Sequence, residues 1–96
     1  MANANLSLQV LPRVPEEQLY GVVERVIEMI QNSGLPYVVG PMETTIEGDI
    51  EVLLDLVKRA HDICIAAGAS AVMSVVKIDY RPGGVTIDEK IRKYRP

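Results

Sequence analysis

The chain has 96 residues and a formal charge of −3, with 48% hydrophobic and 24% charged residues. That length supports one domain with a single core, and the composition is that of a folded chain, not a disordered one. The acidic balance argues against nucleic acid as a partner, because phosphate neutralisation needs clustered Lys and Arg. One cysteine, Cys64, excludes an intrachain disulfide and suits a reducing compartment. The N-terminus lacks a basic region and an apolar block, and no apolar run approaches the roughly 18 residues of a membrane span. A cytoplasmic protein with no membrane partner is the expectation.

Residues 4–11, ANLSLQVL, alternate: Ala4, Leu6, Leu8 and Val10 on one side, Asn5, Ser7 and Gln9 on the other. This predicts a strand with one buried face, ended by Pro12 and Pro15. In PEEQLYGVVERVIEMIQNSG the period changes. Leu19, Val22, Val23, Val26, Ile27 and Ile30 recur every three or four residues, predicting an amphipathic helix that stops at Gly34. LPYVVGP reads as a short strand, and METTIEG as its hairpin partner across a turn at Gly40–Met42. Asp49 is placed to cap the next helix, whose apolar positions are Ile50, Leu53, Leu54, Val57, Ala60, His61 and Cys64, with Gly68 as its end. SAVMSVVKIDY predicts a fourth strand. Thr86 and Glu89 form a capping box for a short basic helix, IDEKIRKY.

The order β-α-β-β-α-β plus a terminal helix predicts an α+β, ferredoxin-like sandwich spanning residues 1–96: a four-stranded antiparallel sheet with two helices on one face. Such a sheet leaves its other face open, and strands there should be polar. The first strand obeys. The fourth does not, since Met73 and Val75 alternate with Val72, Val76 and Ile78, which predicts a second copy of the chain as cover.

The polar stretch PMETTIEGD carries the most chemistry. If Ile46 faces the helices, then Glu43, Thr45 and Glu47 share the open face and Thr44 the other. The row suits either a solvated strand face, with Thr favoured by its β propensity, or a shallow polar ligand site. Two carboxylates also allow acid–base chemistry, though no nucleophile accompanies them. His61 and Cys64 share a helix face, where a hydrogen-bonded structural histidine and an inert thiol outweigh a catalytic pair; two such ligands do not make a metal site. The basic C-terminus suits a solvated helix end. No phosphate loop or dinucleotide fingerprint is present.

TTIEGD, the helix containing AHDICIAAGA, and KIDYRPGG together resemble the thiamine-binding protein family, with the pair Asp79 and Arg81 adding to the match across nearly the whole chain. The resemblance implies the ferredoxin-like fold, dimers that pair into tetramers, and a thiamine or hydroxymethylpyrimidine ligand, as bound by a tandem-duplicated relative. No catalytic activity and no cofactor are implied. The family often carries an arginine where Val75 stands here. On this basis Glu47 would face the thiazolium or the exocyclic amine, and Asn5, Ser7 and Thr45 would pair with the ring nitrogens. Met42 and Tyr37 would wall the flat ring, with Thr44 as the other half of the Thr pair. The expectation is a non-catalytic carrier, buffer or sensor. The competing readings are a structural or regulatory oligomeric module without a small ligand, and an enzyme acting on a thiamine-like pyrimidine.

Overall fold

In the computed structural model, residues 2–95 are described. The strands are β1 (Ala4–Pro12), β2 (Tyr37–Val39), β3 (Thr44–Gly48) and β4 (Val72–Tyr80); the helices are α1 (Leu19–Asn32), α2 (Ile50–Ala66) and α3 (Ile87–Ile91). The strands form one antiparallel sheet in the order β2-β3-β1-β4. This is the expected ferredoxin-like sandwich.

The register explains the layering. Leu6 pairs with Ile46 on β3 and with Ile78 on β4, and Leu8 pairs with Thr44 and Val76. Because side chains alternate across a strand, these residues point one way, toward α1 and α2. Leu6, Ile46, Leu53, Ala60 and Cys64 are wholly buried there, joined by Val22, Val26, Met29, Ile30 and Leu56. Each fully buried Leu or Ile contributes about 1.5–3 kcal/mol through removal from water.

Several helix details depart from expectation. Pro15 and the two glutamates open a 3-10 turn (Glu16–Gln18), and α1 begins only at Leu19. In α2 the buried stripe runs Leu53, Leu56, Ala60, Cys64; Leu54, expected inside, is exposed, and Leu56 takes its place. Asp49 occupies the N-cap of α2 without a side-chain hydrogen bond. The Ile50 N–H instead donates to Asn3 Oδ1 at 2.9 Å, so the cap comes from the lead-in to β1. Both helices end as read. Gly34 and Gly68 adopt φ of 78° and 103°, the left-handed region that glycine enters without strain. At Gly68 the Ala69 N–H donates to Cys64 O and the Gly68 N–H to Ile65 O, the paired bonds of a Schellman closure.

The C-terminal segment lies on the sheet face away from α1 and α2. Glu47 and Asp79 both pair with Asn5 across the sheet, opposite in direction to Leu6. The Glu47 carboxylate accepts from the Ile87 N–H at 2.7 Å, and Asp79 binds Lys90 Nζ at 2.7 Å. Val85 and Ile87 are buried beneath this cover. Thr86 Oγ1 accepts from the Glu89 N–H at 3.1 Å and starts α3. The cover reaches one end of the face only. Leu11, Met73 and Val75 remain exposed at the other.

Two outcomes follow from this packing. Leu6→Ala is expected to lower stability by about 2–5 kcal/mol, whereas Leu54→Ala changes it by no more than about 0.5 kcal/mol; urea unfolding of both variants checks the contrast. Hydrogen bonds from Lys90 and then Arg81 hold the Asp79 carboxyl below the usual aspartate range. A depressed folded pKa stabilises the docked segment above the ordinary aspartate value, and that contribution is lost as pH falls through the folded pKa. NMR titration of the Asp79 carboxyl carbon is expected to show this lowered midpoint, moving up in Lys90→Ala.

Candidate functional site

The residues singled out in the sequence separate into three places. Thr44 and Thr45 are adjacent, so alternation sends them to opposite faces. Thr45 pairs with Ser7 on the face of Asn5 and Glu47; Thr44 pairs with Leu8 on the helix side.

Asn5, Ser7 and Thr45 line a shallow depression of about 260 Å³ with Lys77, Asp79 and Lys90. Asn5 is buried. Its Nδ2 donates to Ala4 O at 3.2 Å, while its Oδ1 has no donor. The rim charges are compensated: Lys90 by Asp79, and Lys77 by Glu43 at 3.8 Å. This face is polar, open and partly tied up in holding the C-terminal segment.

Glu47 and Tyr37 lie at the β2–β3 edge, in a cleft of about 440 Å³ shared with Thr86, Arg92 and Arg95. The sequence reading gave Glu47 to a ligand amine or cation. In the structure its Oε1 already receives the Ile87 N–H, so its first role is to anchor α3. Tyr37 pairs with Ile46 and therefore does not wall the row formed by Asn5, Ser7 and Thr45. Met42 does not wall it either, for it belongs to the third place.

That third place is a cleft of about 250 Å³ between α1, the second half of β1 and the β2–β3 loop. Leu8, Val10, Val23, Val26, Ile27 and Ile30 form its apolar walls, and buried Thr44 adds a hydroxyl. The loop is held over it by the Gly40 N–H, which donates to Glu43 O at 2.8 Å. A Cβ on Gly40 would sit 3.0 Å from that same oxygen, so a side chain there would push the loop outward. At the mouth stand Tyr20 and Met42, 81% and 73% exposed.

Sequence reasoning missed Tyr20. The signal was present: Tyr20, Val23 and Ile27 fall at i, i+3 and i+7, one stripe of α1, and all three line the cleft. An apolar cavity with few polar groups is the usual form of a small-molecule site. An aromatic ring and a thioether at its entrance suit a flat heteroaromatic ligand through stacking and sulfur–π contact. Thr44 offers both a hydrogen-bond donor and an acceptor.

His61 and Cys64 lie elsewhere. His61 bridges α2 and β4, with Nδ1 2.7 Å from Val57 O and Nε2 3.0 Å from Ser74 Oγ. The carbonyl can only accept, so Nδ1 donates and Nε2 accepts from the Ser74 hydroxyl. Cys64 is fully buried, and burial pushes its thiol pKa up, which disfavours the reactive thiolate. Among the described residues, no three of His, Cys, Asp and Glu gather as metal ligands. No described helix is long and apolar enough to cross a membrane.

Comparison with known proteins joins this geometry to a family. The model of a family described as thiamine-binding protein matches residues 6–95. A UPF0045 protein of Clostridium perfringens is 56% identical over 95 residues, covering 99% of this chain and 100% of the relative. Among solved structures, a domain of unknown function, DUF77, from Bacillus cereus superposes with a TM-score of 0.90 at 50% identity, covering 99% of this chain and 93% of that one. A candidate thiamine biosynthesis/salvage protein from Thermotoga maritima gives a TM-score of 0.89 at 39% identity, covering 97% of this chain and 99% of that one. The chain belongs to the thiamine-binding protein family.

Proposed function

We propose that the protein binds thiamine or a related aminopyrimidine in the cleft between α1 and the β2–β3 loop, and holds it without transforming it. The observation that carries the reading is the cleft's composition: apolar walls, one buried hydroxyl at Thr44, and Tyr20 with Met42 at the mouth. The family description and that of the Thermotoga maritima relative supply the ligand class. An aminopyrimidine is flat, and its edge alternates amine donor and ring-nitrogen acceptor. Thr44 can answer either, while Tyr20 and Met42 take the ring faces. Among the described residues that line the cleft, Glu43 is the one acidic residue, and its carboxylate is paired with Lys77. A carrier, buffer or sensor in the cytoplasm fits this chemistry better than an enzyme.

The reading includes self-association. Leu11, Met73 and Val75 are 43%, 69% and 48% exposed on the sheet face that the C-terminal segment leaves bare. β4 is also a nine-residue edge strand, which invites pairing with another chain. A second copy covers both features at once.

Calorimetric titration with thiamine tests the site. Thr44→Val is expected to weaken binding by about 1–3 kcal/mol, the cost of an unpaired buried polar group, and Thr45→Val to leave it nearly unchanged. The reverse pattern would move the ligand to the opposite sheet face. Light scattering at micromolar concentration is expected to give a dimer or tetramer, and Met73→Glu with Val75→Lys to give a monomer; a wild-type monomer would remove the second copy from the account.

A further inference from the structure

We infer that the cleft between α1 and the β2–β3 loop takes its ligand unphosphorylated and discriminates against phosphate esters of the same compound; this rests on the proposed binding of thiamine there. The argument is the sign of the charges around the cavity. Among the described residues no Lys, Arg or His lines the cleft, and Glu43 is the one acidic residue at its edge. The segment forming its helical wall, from the 3-10 turn through α1, carries Glu16, Glu17, Glu24 and Glu28 against Arg25 alone. Arg25 turns to a different groove, lined by Gln18, Val22 and Ala67.

A cluster of cations stands elsewhere. Lys90, Arg92 and Arg95 belong to α3 and the turn after it, paired with Asp79 and Asp88 on the other side of the sheet. Lys77 reaches Glu43 from that other face at 3.8 Å while remaining largely exposed. It offsets part of the Glu43 charge without entering the cavity lining.

A helix N-terminus is the usual alternative for holding a phosphate without cations, because its first amides are free. At the entry to α1 two of these amides are engaged. The Gln18 N–H donates to Pro15 O at 2.9 Å, and the Leu19 N–H donates to Glu16 O. Glu16 and Glu17 occupy the positive end of the helix where an anion would sit. A neutral pyrimidine, or thiamine with its cationic thiazolium toward Glu43, meets complementary charge. A diphosphate meets the acidic Glu43 and the acidic start of the helical wall with no cation in the lining to offset its charge.

Titration of the intact protein with thiamine, thiamine monophosphate and thiamine diphosphate at low ionic strength tests the inference. Affinity is expected to fall in that order, by roughly tenfold or more between the first and last. The gap should narrow in high salt, as screening requires. Glu43→Gln should shrink it and Glu43→Lys shrink it further, and the half-exposed position of Glu43 makes both variants compatible with folding. Diphosphate binding as tight as thiamine, or an unchanged ratio in both variants, overturns the discrimination while leaving the thiamine reading intact. Failure of all three ligands to bind overturns the underlying reading, and this inference with it.

Discussion

Everything in this molecule depends on the antiparallel pairing of β1 with β3 in the register that sets Leu6 opposite Ile46. A slip of one residue would turn the whole apolar set of β1 to the other face. With the register fixed, the core residues meet α1 and α2, and Asn5, Ser7, Thr45 and Glu47 share the opposite side. The same alternation sends Thr44 into the helix-side cleft. The polar doublet Thr44–Thr45 is thus the point at which one strand serves two faces.

The two faces have different duties. The outer one holds the chain's own C-terminus through Glu47 and Asp79, two carboxylates presented by neighbours of Asn5. Asn5 Oδ1 is left without a donor in the process, a local cost of the kind that buried polar groups normally avoid. The inner face is built for packing, and where the β2–β3 loop bridges the end of the sheet it leaves a cavity. That loop depends on Gly40, whose N–H closes onto Glu43 O, an oxygen that a Cβ at this position would crowd. A ligand bound there would touch core walls on one side and the exposed side chains of Tyr20 and Met42 on the other.

Much of the fold was legible because periodicity is a strong physical signal. The alternation in ANLSLQVL and the three-to-four spacing in α1 translate directly into faces, and the glycines that close the helices have a steric reason to be there. What escaped the reading depends on tertiary geometry. Leu54 and Leu56 are both apolar, and only the seating of α2 on the sheet decides that Leu56 is inside. Asp49 is a fitting cap residue by type, yet Asn3, 47 positions away, takes the bond. The candidate site was legible in its residue types but not in its grouping. Glu47 is the natural ligand carboxylate until α3 is seen to lie against it, and the pairing of Tyr37 with Ile46 and the loop position of Met42 keep both away from the row of Asn5, Ser7 and Thr45. Tyr20 drew no notice because an exposed tyrosine on a helix signals nothing until a loop is seen across from it.

The central claim is that the inner cleft, not the outer face, receives the heteroaromatic ring. Intermolecular nuclear Overhauser contacts between bound thiamine and the protein decide it most directly. Contacts from the pyrimidine methyl and ring protons to the Met42 methyl group, the Tyr20 ring and the Thr44 methyl group are what the account predicts. Contacts to Thr45, Lys77 and Lys90 in their place would contradict it.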